Sequence, residues 1–480
     1  MLKHRLYQCL GAAGLALAVG ACKTPELVVK NESRNTPASY ATATTAQDSL
    51  NTARIEWKKF FPDPNLQALI EAGLQNNQEL NITLQEIEIA RNEIRARKGE
   101  YLPFVGLGIR TDVEKVGRYT LQGATEEKVD IRENRRTPNP LTNFQVGAFA
   151  TWEVDIWHKL RNAKKAAALR YLASVEGKNF MVTNLISEIA NSYYELLALD
   201  SQLAIVQQNI GIQSNALELV KLQKEAARTT ELAVQRFEAQ VQHTRALRFR
   251  LQQSIVETEN RLNYLAGRYP QPVARNDESF NDLLPTVIQA GRPAQLLSNR
   301  PDIRQAEQQL AAAKLDVQVA RANFYPQLRL TGGAGFAAFN PALLVSTPES
   351  MLYSLAGDLA APLVNRNGIK ALYYNANALQ TQAVYRYEKT VLNACVEVNN
   401  QLSNISNLAK SYDAKAKEVA ALNQSVDISN SLFRSARAEY TEVLFTQREA
   451  LEAKFDLTET KMQQLNASVN MYRALGGGWK

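Results

Sequence analysis

Asn299-Arg300-Pro301-Asp302-Ile303 opens a helical run that ends at Asn323-Phe324-Tyr325-Pro326, and the chain has already followed this plan once. The earlier copy runs from Asn76-Asn77-Gln78-Glu79-Leu80 to Glu100-Tyr101-Leu102-Pro103. The offset between the copies is constant, so Leu80 aligns with Ile303, Ile87 with Leu310, Ala90 with Ala313, Ile94 with Val317 and Pro103 with Pro326. A second match closes each half. Thr230-Glu231-Leu232 through Glu238-Ala239 pairs with Thr441-Glu442-Val443 through Glu449-Ala450, and Leu265-Ala266-Gly267 pairs with Leu475-Gly476-Gly477. Each unit spans roughly two hundred residues, far more than the repeat of a solenoid or propeller. A duplicated half-domain of this size predicts a function that belongs to a pseudo-symmetric object and not to one pocket.

Between these landmarks lie very long helices. From Trp157 to Ala226 there is no proline, and the two glycines, Gly177 and Gly211, are isolated. A single helix of that extent would be roughly 105 Å long. Its distal part repeats every seven residues at Ile189, Leu196, Leu203, Ile210 and Leu217, with Leu199, Val206 and Val220 in the companion seam. The second half answers with Val391, Val398, Ile405, Tyr412, Val419, Val426 and Phe433, joined by Leu402, Leu408 and Leu422. Apolar residues at this period give a left-handed coiled-coil seam. Each run breaks briefly, at Ala227-Arg228-Thr229-Thr230 and at Ala436-Arg437-Ala438-Glu439, and a returning helix follows. Two antiparallel helical hairpins with tight tips are expected.

After each proline the period changes to two. Val105, Leu107 and Ile109 alternate with Gly106, Gly108 and Arg110. Phe144, Val146, Ala148, Ala150, Trp152 and Val154 alternate with Gln145, Gly147, Thr151, Glu153 and Asp155, Phe149 being the exception on the polar face. The second copy supplies Leu328 and Leu330, then Tyr353, Leu355, Gly357, Leu359 and Leu363. One apolar and one polar face is the pattern of a membrane-spanning strand; a soluble sheet packed on a core would show the same alternation. The strand pairs are joined by a long charged connection at 112–143 and a shorter one at 337–350. Open strand edges are not tolerated in lipid, so four strands per chain require oligomerisation, and three copies would supply twelve.

At the N-terminus, Lys3 and Arg5 precede an apolar, small-residue stretch that ends Val19-Gly20-Ala21-Cys22. This reads as a secretory signal rather than a membrane span, and its end resembles a bacterial lipobox with Cys22 as the lipidated residue. No Asp follows Cys22 to signal inner-membrane retention. Cys9 lies inside the signal and Cys395 then has no partner, so neither a disulfide framework nor a cysteine metal site is expected. Three histidines in the whole chain argue against a histidine-based centre, and a net charge of +7 is too weak and too evenly spread for nucleic acid. Neither a phosphate-binding glycine loop nor a nucleophile–base arrangement is present, so the chain does not read as an enzyme. No cofactor is expected beyond the covalent lipid, diacylglyceryl and N-acyl, on Cys22.

Four motifs, in order along the chain, resemble those of the TolC-type outer-membrane efflux factors, in the lipoprotein branch typified by OprM. They are Trp57 with Phe60-Phe61, Asp63, Leu66 and Leu69-Ile70; Trp152-Glu153-Val154-Asp155-Ile156-Trp157; Asn299 through Pro326; and Ala474-Leu475-Gly476-Gly477-Gly478-Trp479. The resemblance implies a mixed α and β membrane protein: a homotrimer whose 12-stranded β-barrel continues as a periplasmic α-helical coiled-coil barrel. It implies outer-membrane lipid, a periplasmic adaptor and an inner-membrane pump of RND type as partners. The chain would then be a passive conduit for small toxic compounds, lipid-anchored in the outer membrane. A type I protein-secretion conduit and a non-conducting periplasmic coiled-coil lipoprotein are the alternatives.

The expected organisation is a signal at 1–21, a lipid-attached flexible tether at 22–54, a first repeat at 55–267, an equatorial linker at 268–298 and a second repeat at 299–480. Strands are expected at about 103–112, 143–156, 326–336 and 351–364, and hairpins at 157–266 and 366–475. In the family, polar and charged residues on the second long helix pinch the periplasmic tip. Asp427, Asn430 and Arg434 are spaced to share a helix face there, and a threefold ring of Asp427 would need relief from Arg434, cations or protonation. Ala227, Arg228 and Thr229, with Ala436, Arg437 and Ala438, are the candidate adaptor-contact tips, alanine standing where the family usually has glycine. Glu153 and Asp155 are either lumen acids or caps of the following helix. Asp302 is placed to cap or charge a helix start.

Overall fold

The computed structural model describes residues 24–27, 30–41, 51–275, 280–286, 288–435 and 437–479. The expected signal peptide, Cys22 and Ala436 lie outside them. The main helices are α1 (Pro64–Asn76), α2 (Gln78–Tyr101), α3 (Lys159–Glu225), α4 (Glu231–Leu265), α5 (Pro301–Ala322), α6 (Asn367–Arg434) and α7 (Tyr440–Ala474). The strands are β1 (Phe104–Glu114), β2 (Leu141–Val154), β3 (Gln327–Ala338) and β4 (Met351–Ala360). Each repeat therefore runs helix, two strands, long helix, returning helix. No described helix is long and apolar enough to cross a membrane.

The chain divides into two compact units. One comprises the described residues up to 31, Glu88–Leu172 and Gln308–Val384. It holds a single antiparallel sheet in the order β1-β2-β3-β4, so the two repeats pair through β2 and β3. The register sorts the side chains. Leu107, Ala148, Ala334 and Tyr353 form one row across the sheet, flanked by Ile109, Val146, Phe336 and Met351 and by Val105, Ala150, Gly332 and Leu355. These three rows are apolar from edge to edge. The opposite face carries Glu153, Arg329 and Asp358 in one row and glycines in others.

The second unit comprises Glu32–Ile87, Ala173–Glu307 and the chain from Tyr385 onward. Its main core gathers Trp57, Phe60, Phe61, Leu66 and Ile70 against Ile186, Ile189, Tyr193 and Leu196 of α3 and Tyr472 of α7. Phe60 stacks on Tyr472 at 4.1 Å, and the Tyr472 hydroxyl donates to the Ile55 carbonyl at 2.6 Å. Asp63 accepts from the amides of Asn65 and Leu66 at the start of α1, a side-chain cap, and also from the Tyr193 hydroxyl. A second cluster joins α3 and α4 near their tip through Leu217, Val220, Phe237 and Val241, and Val443 of α7 packs with it.

Several boundaries differ from the sequence reading. α3 starts at Lys159, because His158 takes a left-handed φ of 60° immediately before it. Asn365 does the same at 52° just ahead of α6, so both repeats enter their long helix through a left-handed residue. β4 stops at Ala360, short of the expected 364; Pro362 follows and has no amide to donate to a ladder. The 112–143 connection contains a helix, Leu121–Lys128, and a two-stranded ribbon of Asp130–Arg132 with Arg135–Arg136. The expected flexible tether is pinned over Ser33–Ala41: Arg34 pairs with Glu307 at 2.7 Å, Tyr40 is buried, and the Ala41 amide donates to Asn399.

The pairing of the returning helices is corrected as well. Gly267 and Gly476 both have positive φ, 68° and 87°, and close α4 and α7 by the same pair of amide-to-carbonyl bonds. A Cβ on either would strike a backbone oxygen, Asn76 O at 2.3 Å or Asn299 O at 2.6 Å. Gly267 is thus equivalent to Gly476, one residue off the sequence match. At the tips, Arg228 N to Gln223 O corresponds to Arg437 N to Leu432 O, two residues off the match made at Thr230.

Candidate functional site

For a duplicated scaffold the functional surface is distributed, and four places carry it: the sheet faces, the strand-to-helix corner, the foot of the hairpins and their tips. On the apolar sheet face several large side chains are open, among them Leu107 at 87% and Leu355 at 85%. Exposing side chains of that size to water costs about 1.5–3 kcal/mol each. Strands of 10 to 14 residues meet the roughly 9–11 that a bilayer crossing needs. β1 and β4 leave an edge free on each side of the sheet.

The strand-to-helix corner uses both tryptophans of its motif. Trp152 Nε1 donates to the Tyr101 carbonyl at 3.1 Å, and Trp157 Nε1 donates to the Pro326 carbonyl at 2.7 Å while stacking on Tyr325. Asp155 is not a lumen acid. Its side chain is 1% exposed and accepts from the amides of Leu160 and Arg161, with the Arg161 guanidinium at 3.3 Å. It caps α3, where unpaired amides favour an anion. Glu153 lies on the polar sheet face but is paired with Lys159 at 2.7 Å, so it is not a free carboxylate either.

At the foot of the hairpins the Asn299-Arg300-Pro301-Asp302 motif acquires a role that spacing could not reveal. Arg300 is 5% exposed along its side chain and forms a fork on Asp302, at 3.0 and 2.7 Å. It also reaches Glu397 at 2.7 Å and the Ala474 carbonyl at 2.8 Å. Burial works against its charge, yet the Asp302 carboxylate prevails and holds the guanidinium above its ordinary pKa. Asp302 takes the Ile303 amide in the first turn of α5, so it charges the helix start as expected while also anchoring Arg300. In the first repeat Asn77 holds the equivalent carbonyl, Leu265 O, at 3.0 Å. One position thus caps the end of the returning helix in both halves, by an amide in one and a guanidinium in the other.

The tips are compact turns. Ala227 N donates to Lys224 O and Arg228 N to Gln223 O, both at 2.8 Å, with Ala227 left-handed at φ 54°. This is the helix-ending arrangement for which glycine is the usual residue, and alanine occupies it at a cost of about 1–2 kcal/mol. Lys224 pairs with Glu231 across the turn, and that hydrogen bond lowers the Glu231 pKa. Thr229 follows in the turn; on the second tip Arg437 and Ala438 link α6 to α7.

The three candidate gate residues do not share one environment. Asp427 and Arg434 are exposed near the end of α6, whereas Asn430 is half-buried and accepts from Gln447 of α7 at 3.5 Å. Asp427 and Arg434 stand two helical turns apart, about 10 Å, and do not pair with each other. Arg434 therefore does not neutralise Asp427 of its own protomer. Among the described residues no cluster of potential metal ligands occurs.

The chain matches the family model described as outer membrane efflux protein over residues 69–268 and 293–477, one stretch in each repeat. It is similar to the pyoverdine export outer membrane protein OpmQ of Pseudomonas aeruginosa, 29% identical over 88% of each chain. The solvent efflux pump outer membrane protein SrpC of Pseudomonas putida is 28% identical over 90% of this chain and 89% of that one. The fold matches the open state of the MtrE outer membrane channel of Neisseria gonorrhoeae with a TM-score of 0.83 at 23% identity, covering 95% and 99% of the two chains.

Proposed function

Because the chain belongs to the outer membrane efflux protein family, we propose that it is the outer-membrane channel of a tripartite system, fed by a periplasmic adaptor and an inner-membrane pump of RND type. The observation that carries this reading is the four-stranded sheet with one face apolar across three successive rows and two edges left unpaired among the described residues. A sheet of this kind is stable in lipid only when closed, and three chains bring the twelve strands of the trimeric channel. The apolar face meets acyl chains, and the face bearing Glu153, Arg329 and Asp358 lines the bore. Small toxic organic compounds are the cargo, in keeping with the solvent and pyoverdine exporters it is similar to. The chain supplies no energy; the pump does. A lipid on Cys22 anchors it to the outer membrane.

Asp427 and Arg434, exposed near the end of α6, make the periplasmic constriction by meeting copies of themselves around the threefold axis, and the tips at 227–229 and 436–438 receive the adaptor. Single-channel recording of the purified protein in planar bilayers tests both levels. The wild type should conduct poorly, and Asp427→Ala combined with Arg434→Ala should raise conductance. Unchanged conductance removes these residues from the gate; absence of any channel activity from either protein overturns the channel itself.

A further inference from the structure

From Phe144 to Val154 alternation along β2 fails at one residue. Phe149 lies on the polar face of the sheet, between Thr151 and Gly147, with Gly106 and Gly333 as its neighbours in register. Its ring extends over the β1 glycines. A Cβ built on Gly106 would come within 2.6 Å of Phe149 Cζ, and one on Gly108 within 3.5 Å of Cε1. Phe104 adds a second ring at a centroid distance of 6.0 Å. In the next row Gly108, Gly147 and Gly335 stand side by side, where Cβ atoms on the last two would strike the neighbouring strand's backbone. The absence of side chains there opens a recess of about 380 Å³ beside the ring, with Arg110, Gln145, Thr331 and Ser354 at its rim.

An aromatic ring that served only the sheet would gain more on the lipid face. Phe149 instead is 44% exposed on the face that lines the bore, with one side of the ring on glycine and the other open. The recess is at the small end of ligand-site volumes, large enough for one or two fused rings. Its rim offers donors and acceptors, so a solute that is aromatic in the middle and polar at an edge fits it. Stacking between two rings adds up to about tenfold in affinity, weak enough for a solute to leave, as conduction requires.

We propose that the recess beside Phe149 is a transit subsite for small hydroxylated aromatic solutes, one per protomer and three around the bore. This rests on the channel reading above, because only a closed trimer turns this face into a lumen. The test is saturation-transfer NMR on purified trimers in lipid nanodiscs, using 2-naphthol and its saturated counterpart decahydro-2-naphthol, with empty nanodiscs subtracted. Wild type should bind 2-naphthol several-fold more tightly than the saturated alcohol. Phe149→Ala should lower 2-naphthol affinity about three- to tenfold, to the level of the saturated alcohol, and Phe149→Tyr should restore it. Gly106→Ala, whose added Cβ meets only the outer atoms of the Phe149 ring, should weaken binding without dissociating the trimer. Equal binding of both alcohols, or wild-type binding by Phe149→Ala, overturns the proposal. Single-channel conductance of the same preparations separates the two levels. Conducting trimers that fail these contrasts reject the subsite and leave the channel standing; preparations that never conduct remove the lumen and the subsite with it.

Discussion

Arg300 is a charge taken almost wholly out of water, and its four contacts make that tolerable. Removing it leaves Asp302, Glu397 and the Ala474 carbonyl without their donor, so Arg300→Met should destabilise the protein by about 3–5 kcal/mol. Asn77→Ala frees the Leu265 carbonyl and the Leu80 amide that Asn77 caps at the start of α2, and should cost about 2 kcal/mol. Denaturant unfolding followed by helical circular dichroism measures both, and similar losses would refute the difference in role. The sequence marks Asp302 as a residue for a helix start, since that reading needs only its nearest neighbours. It cannot show Arg300 reaching a carbonyl 174 positions away, because nothing local encodes the approach of α7. Asp155 illustrates the same limit more mildly. Cap and lumen acid were both open from the order of residues, and the depth of burial decides for the cap.

At the scale of elements, the strands and long helices were legible because their periods survive whatever partner covers them. Alternation assigned Leu107 and Leu355 to one face, and the register across β1 to β4 extends that face over the whole sheet. Leu107→Lys should therefore block membrane assembly, with a penalty of about 2–4 kcal/mol near the bilayer centre. Ser354→Lys, on the bore side, should assemble normally; quantitative membrane fractionation of the two variants checks the assignment, and equal yields would reverse it. What periodicity could not supply was the structure between the strands and the pairing at helix ends. The letters Leu-Ala-Gly and Leu-Gly-Gly align by identity, whereas the backbone aligns the left-handed glycines, Gly267 with Gly476. The small helix and ribbon inside 112–143 are held by local capping, such as Thr120 on the Gly123 amide, and have no long-range pattern to announce them.

The whole molecule inherits an instability from its sheet. A lone chain exposes the apolar face and two edges, so folding of this unit is completed only by its neighbours. Thermal midpoints measured in detergent should rise with protomer concentration, and a concentration-independent midpoint would point to a self-sufficient monomer. The two halves are also closer to interchangeable than their sequences suggest. Glu79 stands where Asp302 does in the second half, and Glu188, now paired with Arg261 at 3.1 Å, stands where Glu397 does. The first half thus retains both acids of the foot network and lacks only its cation. Asn77→Arg would supply it while giving up the Asn77 cap on the Leu80 amide, and trimers of this variant should melt above those of Asn77→Met, which loses the cap and gains no cation. If that holds, one residue separates the feet of the two halves, and a ring of six identical single-repeat chains becomes a realistic object to build.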